Sequence, residues 1–75
     1  MTVAEFLNHF VYYPDTIYYE VSGNNGSNAG EVDFNILGVD NEERYNKFID
    51  KYGDFIVTDW EASDFSIDIK MEENL

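Results

Sequence analysis

Seventy-five residues carry sixteen acids against four bases and no cysteine, for a formal net charge of −12, which excludes a disulfide framework or a thiolate metal site and argues against direct affinity for a nucleic-acid backbone. The apolar fraction of 44%, with six Phe, six Tyr and one Trp, excludes intrinsic disorder, which requires high charge together with scarce apolar residues. A chain this short makes one domain, 1–75, that buries only about 60% of its unfolded surface, enough for a core but not for an enclosed catalytic cavity.

The first predicted element is a helix. Thr2 with Glu5 fits a capping box, and Val3, Phe6, Leu7, Phe10 and Val11 recur at helical spacing to give one apolar stripe. Pro14 ends it, because the ring cannot donate the next backbone hydrogen bond. A strand over 16–22 follows, with Ile17, Tyr19 and Val21 on one face and Tyr18, Glu20 and Ser22 on the other. Residues 22–30, rich in Gly, Asn and Ser, read as a flexible loop. The second strand then alternates Val32, Phe34 and Ile36 with Glu31, Asp33 and Asn35, and pairs antiparallel with the first.

A second helix is predicted over 41–52, opened by Asp40 with Glu43 three residues on and closed at Gly53. Its stripe is Tyr45, Phe48, Ile49 and Tyr52. Three of the four bases, Arg44, Lys47 and Lys51, belong to it and have local acids to pair with. Residues 54–71 form the hairpin that organises the domain. Phe65, Ile67, Ile69 and Met71 define its buried face, and Ser66, Asp68 and Lys70 its wet face. The predicted architecture is α+β, a single small domain of αββαββ order with both helices packed on one face of a four-stranded, mainly antiparallel sheet.

Catalysis is not expected. His9, the lone histidine, falls on the polar side of the first helix with no Cys or Ser partner at a recognisable spacing. Asp59, Glu61 and Asp64 lack the spacing of a calcium loop, and the glycine-rich stretch lacks the Gly-Lys-Ser/Thr of a phosphate cradle. No cofactor or metal is therefore expected. The apolar stretch near the N-terminus has no basic flank and is too short for a signal core or a membrane span, which predicts a cytoplasmic protein without membrane contact.

The charge itself carries the functional expectation. Solubility in a small domain is served by a net charge of about 2 to 8, and self-repulsion at −12 disfavours the compact state. Candidate partner-binding residues are Glu20, Glu31, Asp33, Asp59, Glu61, Asp64 and Asp68, with Tyr18 and Trp60 as exposed aromatics of the kind that enrich interface centres; Tyr12 and Tyr13 are further candidates of that kind. On a sheet Glu20, Asp33, Asp59 and Asp68 fall on a lattice of about 4.8 by 6.6 Å, a scale a groove built for phosphates could accept. In size, charge and element order the chain resembles the small acidic DNA mimics with which phages disable anti-viral nucleases, restriction enzymes or DNA-repair glycosylases. The resemblance implies an inhibitor, anti-CRISPR or anti-restriction in kind. Its partner would be a nucleic-acid-binding protein with a basic groove, met as a monomer or homodimer in the host cytoplasm if the chain is phage-encoded. The alternative is a small acidic interaction domain that docks on a basic partner surface without displacing nucleic acid.

Overall fold

The computed structural model describes residues 1–9, 14–23 and 26–74. Along them run α1 (Val3–Leu7), β1 (Thr16–Gly23), β2 (Gly26–Asp33), α2 (Asn41–Tyr52), β3 (Ile56–Ala62) and β4 (Ser66–Glu72). The strands form one sheet in the order β2-β1-β4-β3, with two antiparallel hairpins, β1–β2 and β3–β4, joined by a parallel β1–β4 pair at the centre. Ile17 and Val21 of β1 and Ile67, Ile69 and Met71 of β4 bury against Val3, Phe6 and Leu7 of α1 and Phe48 of α2. Both helices therefore cover the same face, as the α+β expectation requires.

The five residues of α1 are too few to hold a helix alone. Local and tertiary bonds supply the rest. The Glu5 N–H donates to Thr2 Oγ1 at 3.2 Å and the Thr2 N–H to Glu5 Oε1 at 3.0 Å, which completes the capping box. The Val3 N–H donates to the Phe55 carbonyl at 2.8 Å and the Ala4 N–H to that of Gly53 at 3.0 Å, tying the helix to the α2–β3 connection. Phe10 and Val11, which continue the predicted stripe, and Tyr12 and Tyr13 lie outside the described residues.

In α2, Asp40 caps the first turn by accepting from the Glu43 N–H at 3.0 Å. Gly53 ends the helix with right-handed backbone (φ −57°) rather than the left-handed geometry usual for a glycine cap. Its requirement is steric, because a Cβ there would collide with the Ile49 carbonyl oxygen. The apolar side of α2 meets the sheet through aromatic rings. Phe48 lies 5.6 Å from Tyr19 and 5.2 Å from Tyr52, while Phe34 meets Tyr45 edge-on at 5.5 Å. Such pairs add about 0.5–1.5 kcal/mol each beyond their buried area, which suits a small domain without cross-links.

Three segments depart from the sequence expectation. The first helix, expected to run to Pro14, ends at Leu7 with Asn8 as its C-cap. The loop predicted over 22–30 is mostly strand, and β2 runs Gly26–Asp33 rather than over 31–36. Strand pairing uses backbone groups that small residues supply as well as large ones, and Gly30 leaves the space in which the Tyr19 ring lies. Ile36 is accordingly past the strand, its N–H and carbonyl both bonded by the Asn41 side chain at 3.3 and 3.1 Å. Phe65, expected on the buried face, is 70% exposed in the β3–β4 turn, because β4 and its pairing with β1 begin at Ser66.

Candidate functional site

The face of the sheet opposite the helices is open. Alternation along β1 and β4 directs Ile17, Tyr19, Val21, Ile67, Ile69 and Met71 to the core and Tyr18, Glu20, Asp68, Lys70 and Glu72 outward. The register assembles rows across the strands. One reads Asp33, Thr16, Ser66; the next Glu31, Tyr18, Asp68, Glu61; the third Ala29, Glu20, Lys70, Asp59; and the last Ser27, Ser22, Glu72, Ile56.

A bulge at Thr58 completes this arrangement. Val57 pairs with Met71 on the core side, and strict alternation would turn Asp59 and Glu61 inward with it. The register shift between Val57 and Asp59 resets the parity, so Asp59 meets Lys70 and Glu61 meets Asp68 on the open side. Thr58 Oγ1 donates to the Lys70 carbonyl at 3.2 Å, which holds the extra residue in place.

Of the predicted partner-binding residues, Glu20, Glu31, Asp33, Asp59, Glu61, Asp68 and Tyr18 share this face, and all are exposed. Asp64 is exposed in the β3–β4 turn at the end of the sheet. Trp60 is on the other side. It pairs with the inward-facing Ile69, and its ring lies 5.2 Å from that of the buried Phe6, leaving it 53% exposed at the β3 edge. Glu72 joins the face unpredicted, although the alternation Ser66, Asp68, Lys70 already pointed to it. The sequence reading also missed the loop at 36–39, where Leu37 is 98% exposed beside Ile36 and Val39.

The electrostatics are divided between the two sides of the domain. Arg44, Lys47 and Lys51 ride on α2, where Lys47 pairs with Glu43 at 3.4 Å and Lys51 sits 5.2 Å from the Tyr52 ring centre. Lys70 alone stands among the acids of the open face, between Glu20 and Asp59. The Lys47–Glu43 pair is the one ion pair within 4.0 Å among the described residues. Glu61 and Asp68 are directly opposed with no cation between them, an arrangement that costs stability.

Two shallow hollows, of about 390 and 320 Å³, meet along β4 at Asp68 and Lys70. Tyr18, Glu20 and Ala29 flank the first, and Asp59 and Glu61 the second. Among the described residues no group of three His, Cys, Asp or Glu could hold a metal ion, and no helix is long and apolar enough to cross a membrane. Glu5 is held below the usual carboxylate range by the Thr2 backbone N–H and then by its hydroxyl, and Tyr19 is raised by burial and then by the Tyr52 hydroxyl. No family model, curated protein or solved structure matches this chain.

Proposed function

We propose that the protein is a non-enzymatic inhibitor whose open sheet face imitates nucleic-acid phosphates and occupies the basic groove of a nucleic-acid-binding protein, as a phage-type anti-CRISPR, anti-restriction or anti-repair factor would. The observation that carries this reading is the placement of Glu20, Glu31, Asp33, Asp59, Glu61, Asp68 and Glu72 on one uncovered face against Lys70 alone. Solubility is met by acids scattered over any surface. It does not call for like charges facing each other across β3 and β4, nor for gathering three of the four cations on the opposite side of the domain.

Strands fix carboxylates at spacings of about 4.8 and 6.6 Å, so the ordering cost of presenting them is already met on folding. Tyr18, at the centre of the second row and 46% exposed, offers a flat surface on which an Arg of the groove can stack. Opposite charge across the interface raises the association rate more than it lowers the dissociation rate, so binding is fast and steeply salt-dependent.

The test compares capture by the wild-type chain with capture by a variant carrying Glu20→Lys, Asp33→Lys and Asp68→Lys. Proteins held by the first and not the second are then assayed for DNA and RNA binding with the chain added. Loss of nucleic-acid binding supports mimicry. Captured proteins that keep their DNA or RNA while bound would instead favour docking on a basic surface away from the groove, and full-strength capture by the variant would sink both.

A further inference from the structure

The two edges of the sheet are not alike. On β3, the Thr58 bulge interrupts the ladder, the Val57 N–H donates to the Met1 carbonyl at 3.0 Å, and Thr2 bridges Ile56. A bulge and a covering segment are devices that stop a sheet from growing. On β2 neither is present among the described residues. Its eight residues pair with β1 without a register break, contain no Pro or Lys, and over 26–30 carry only small side chains.

The direction of its backbone groups follows from one bond. The Phe34 N–H donates to the Asp15 carbonyl at 2.7 Å, so by alternation Asn28, Gly30 and Val32 turn their N–H and C=O groups toward β1, while Ser27, Ala29 and Glu31 turn theirs to the free edge. The Asp33 carbonyl, also outward, accepts from Arg44 Nε at 3.1 Å. Among the described residues nothing else occupies this edge, and Ser27, Ala29 and Glu31 make no hydrogen bond beyond the ladder.

Residues paired against Ser27, Ala29 and Glu31 would emerge on the acidic face, beside Glu31 and Asp33. Those between them would turn toward the helix side, where a hollow of about 250 Å³ lined by Tyr19, Val32 and Phe48 together with the α2 cations Arg44, Lys47 and Lys51 adjoins the strand. A second copy of the chain is the poorer occupant, since it brings a further −12 to an edge already lined with acids.

We propose that the free edge of β2 pairs with an extended segment of the partner in which basic residues alternate with apolar ones, the basic side chains lying over the acidic face and the apolar ones over the hollow. The partner's basic character rests on the function proposed above; the pairing rests on the edge itself. Main-chain bonds would then supply affinity and the alternate side chains specificity.

The probe is the peptide acetyl-Lys-Val-Lys-Val-Lys-Val-Lys-amide, added to the whole chain and followed by amide shifts and hydrogen exchange. The expected result is exchange slowed about tenfold at Ser27, Ala29 and Glu31, with no slowing by the same peptide N-methylated at each Lys. Ala29→Pro, which removes an outward N–H and leaves the β1 ladder intact, abolishes the effect; should that variant fail to fold, the methylated peptide makes the same comparison. Equal binding of both peptides, with shifts centred on Glu20, Asp68 and Glu61 and no protection at the edge, would overturn the pairing while leaving phosphate mimicry standing. A Thr-for-Lys peptide that protects equally would overturn the basic partner. Protection that appears without peptide and grows with protein concentration would assign the edge to a second copy and likewise overturn the proposal, and so would no response to any peptide.

Discussion

Replacing Asp68 by Lys reverses one charge at the centre of the acidic face, and the structure sets the size of the effect. Glu61 is directly opposite Asp68, with side chains about 5 Å apart across the strands. Two like charges at that distance repel by about 0.8 kcal/mol in water, reduced to about 0.4 by screening at about 0.15 M salt. Reversal turns this repulsion into attraction, a change of about 0.8 kcal/mol. The diagonal acids Glu20 and Asp59, about 7–8 Å away, each contribute a further change of about 0.4 kcal/mol in the same direction. Lys70, about 6.6 Å along the strand, opposes with about 0.6 kcal/mol. Asp68→Lys is thus expected to stabilise the fold by about 1 kcal/mol and raise Tm by about 5 °C for a domain of this size, while it weakens partner binding. Thermal unfolding of both proteins at about 0.15 M and 1 M sodium chloride checks it, because a screening length of about 3 Å at 1 M should erase most of the gain. A lower Tm, or a gain that persists in high salt, would refute the claim that the face is electrostatically strained.

Three other outcomes follow from the core and the helix caps. Gly30→Ala should lower Tm although alanine is the less flexible residue, because its Cβ would come within 2.6 Å of the Tyr19 hydroxyl and push that ring off Phe48 and Tyr52; unfolding curves with Tyr19 ring NMR signals report both effects. Phe48→Ala removes a side chain only 4% exposed at the junction of Tyr19, Phe34 and Tyr52 and should cost about 3–5 kcal/mol, leaving the chain largely unfolded by circular dichroism at 37 °C. For Glu5, whose carboxyl is lowered chiefly by the Thr2 N–H, the stabilisation is present above the ordinary glutamate range and lost as pH falls through the depressed value. The Tm difference between wild type and Glu5→Gln should therefore be constant at neutral pH and shrink on acidification. A difference that grew toward low pH would reverse the assignment.

Much of the acidic face was legible as a pattern. The alternation from Ser66 to Lys70 put Asp68 on the wet side, and the strand at 16–22 did the same for Tyr18 and Glu20, since a period of two leaves no other choice once Ile17, Val21, Ile67 and Ile69 must be buried. The same logic failed at Phe65, where strand and turn meet and the period has no defined starting point. It also failed over 26–30, where turn-forming residues were read as a loop although they pair as edge strand.

Local sequence determined the capping of both helices, the acid-rich wet sides of the strands and the gathering of cations on one helix, because caps, alternation and helical stripes depend only on neighbours a few residues away. Tertiary structure alone decided that β1 and β4 run parallel at the centre, bringing Glu20 and Asp68, far apart in the chain, onto one surface. It alone decided the parity of β3, where one extra residue at Thr58 turns Asp59 and Glu61 out to the face and Trp60 in toward Phe6. The physical reason is that a bulge is set by how a strand must twist to follow its partner and bury Met71 and Ile69 together, a condition imposed by the opposite strand and invisible in the residues that obey it.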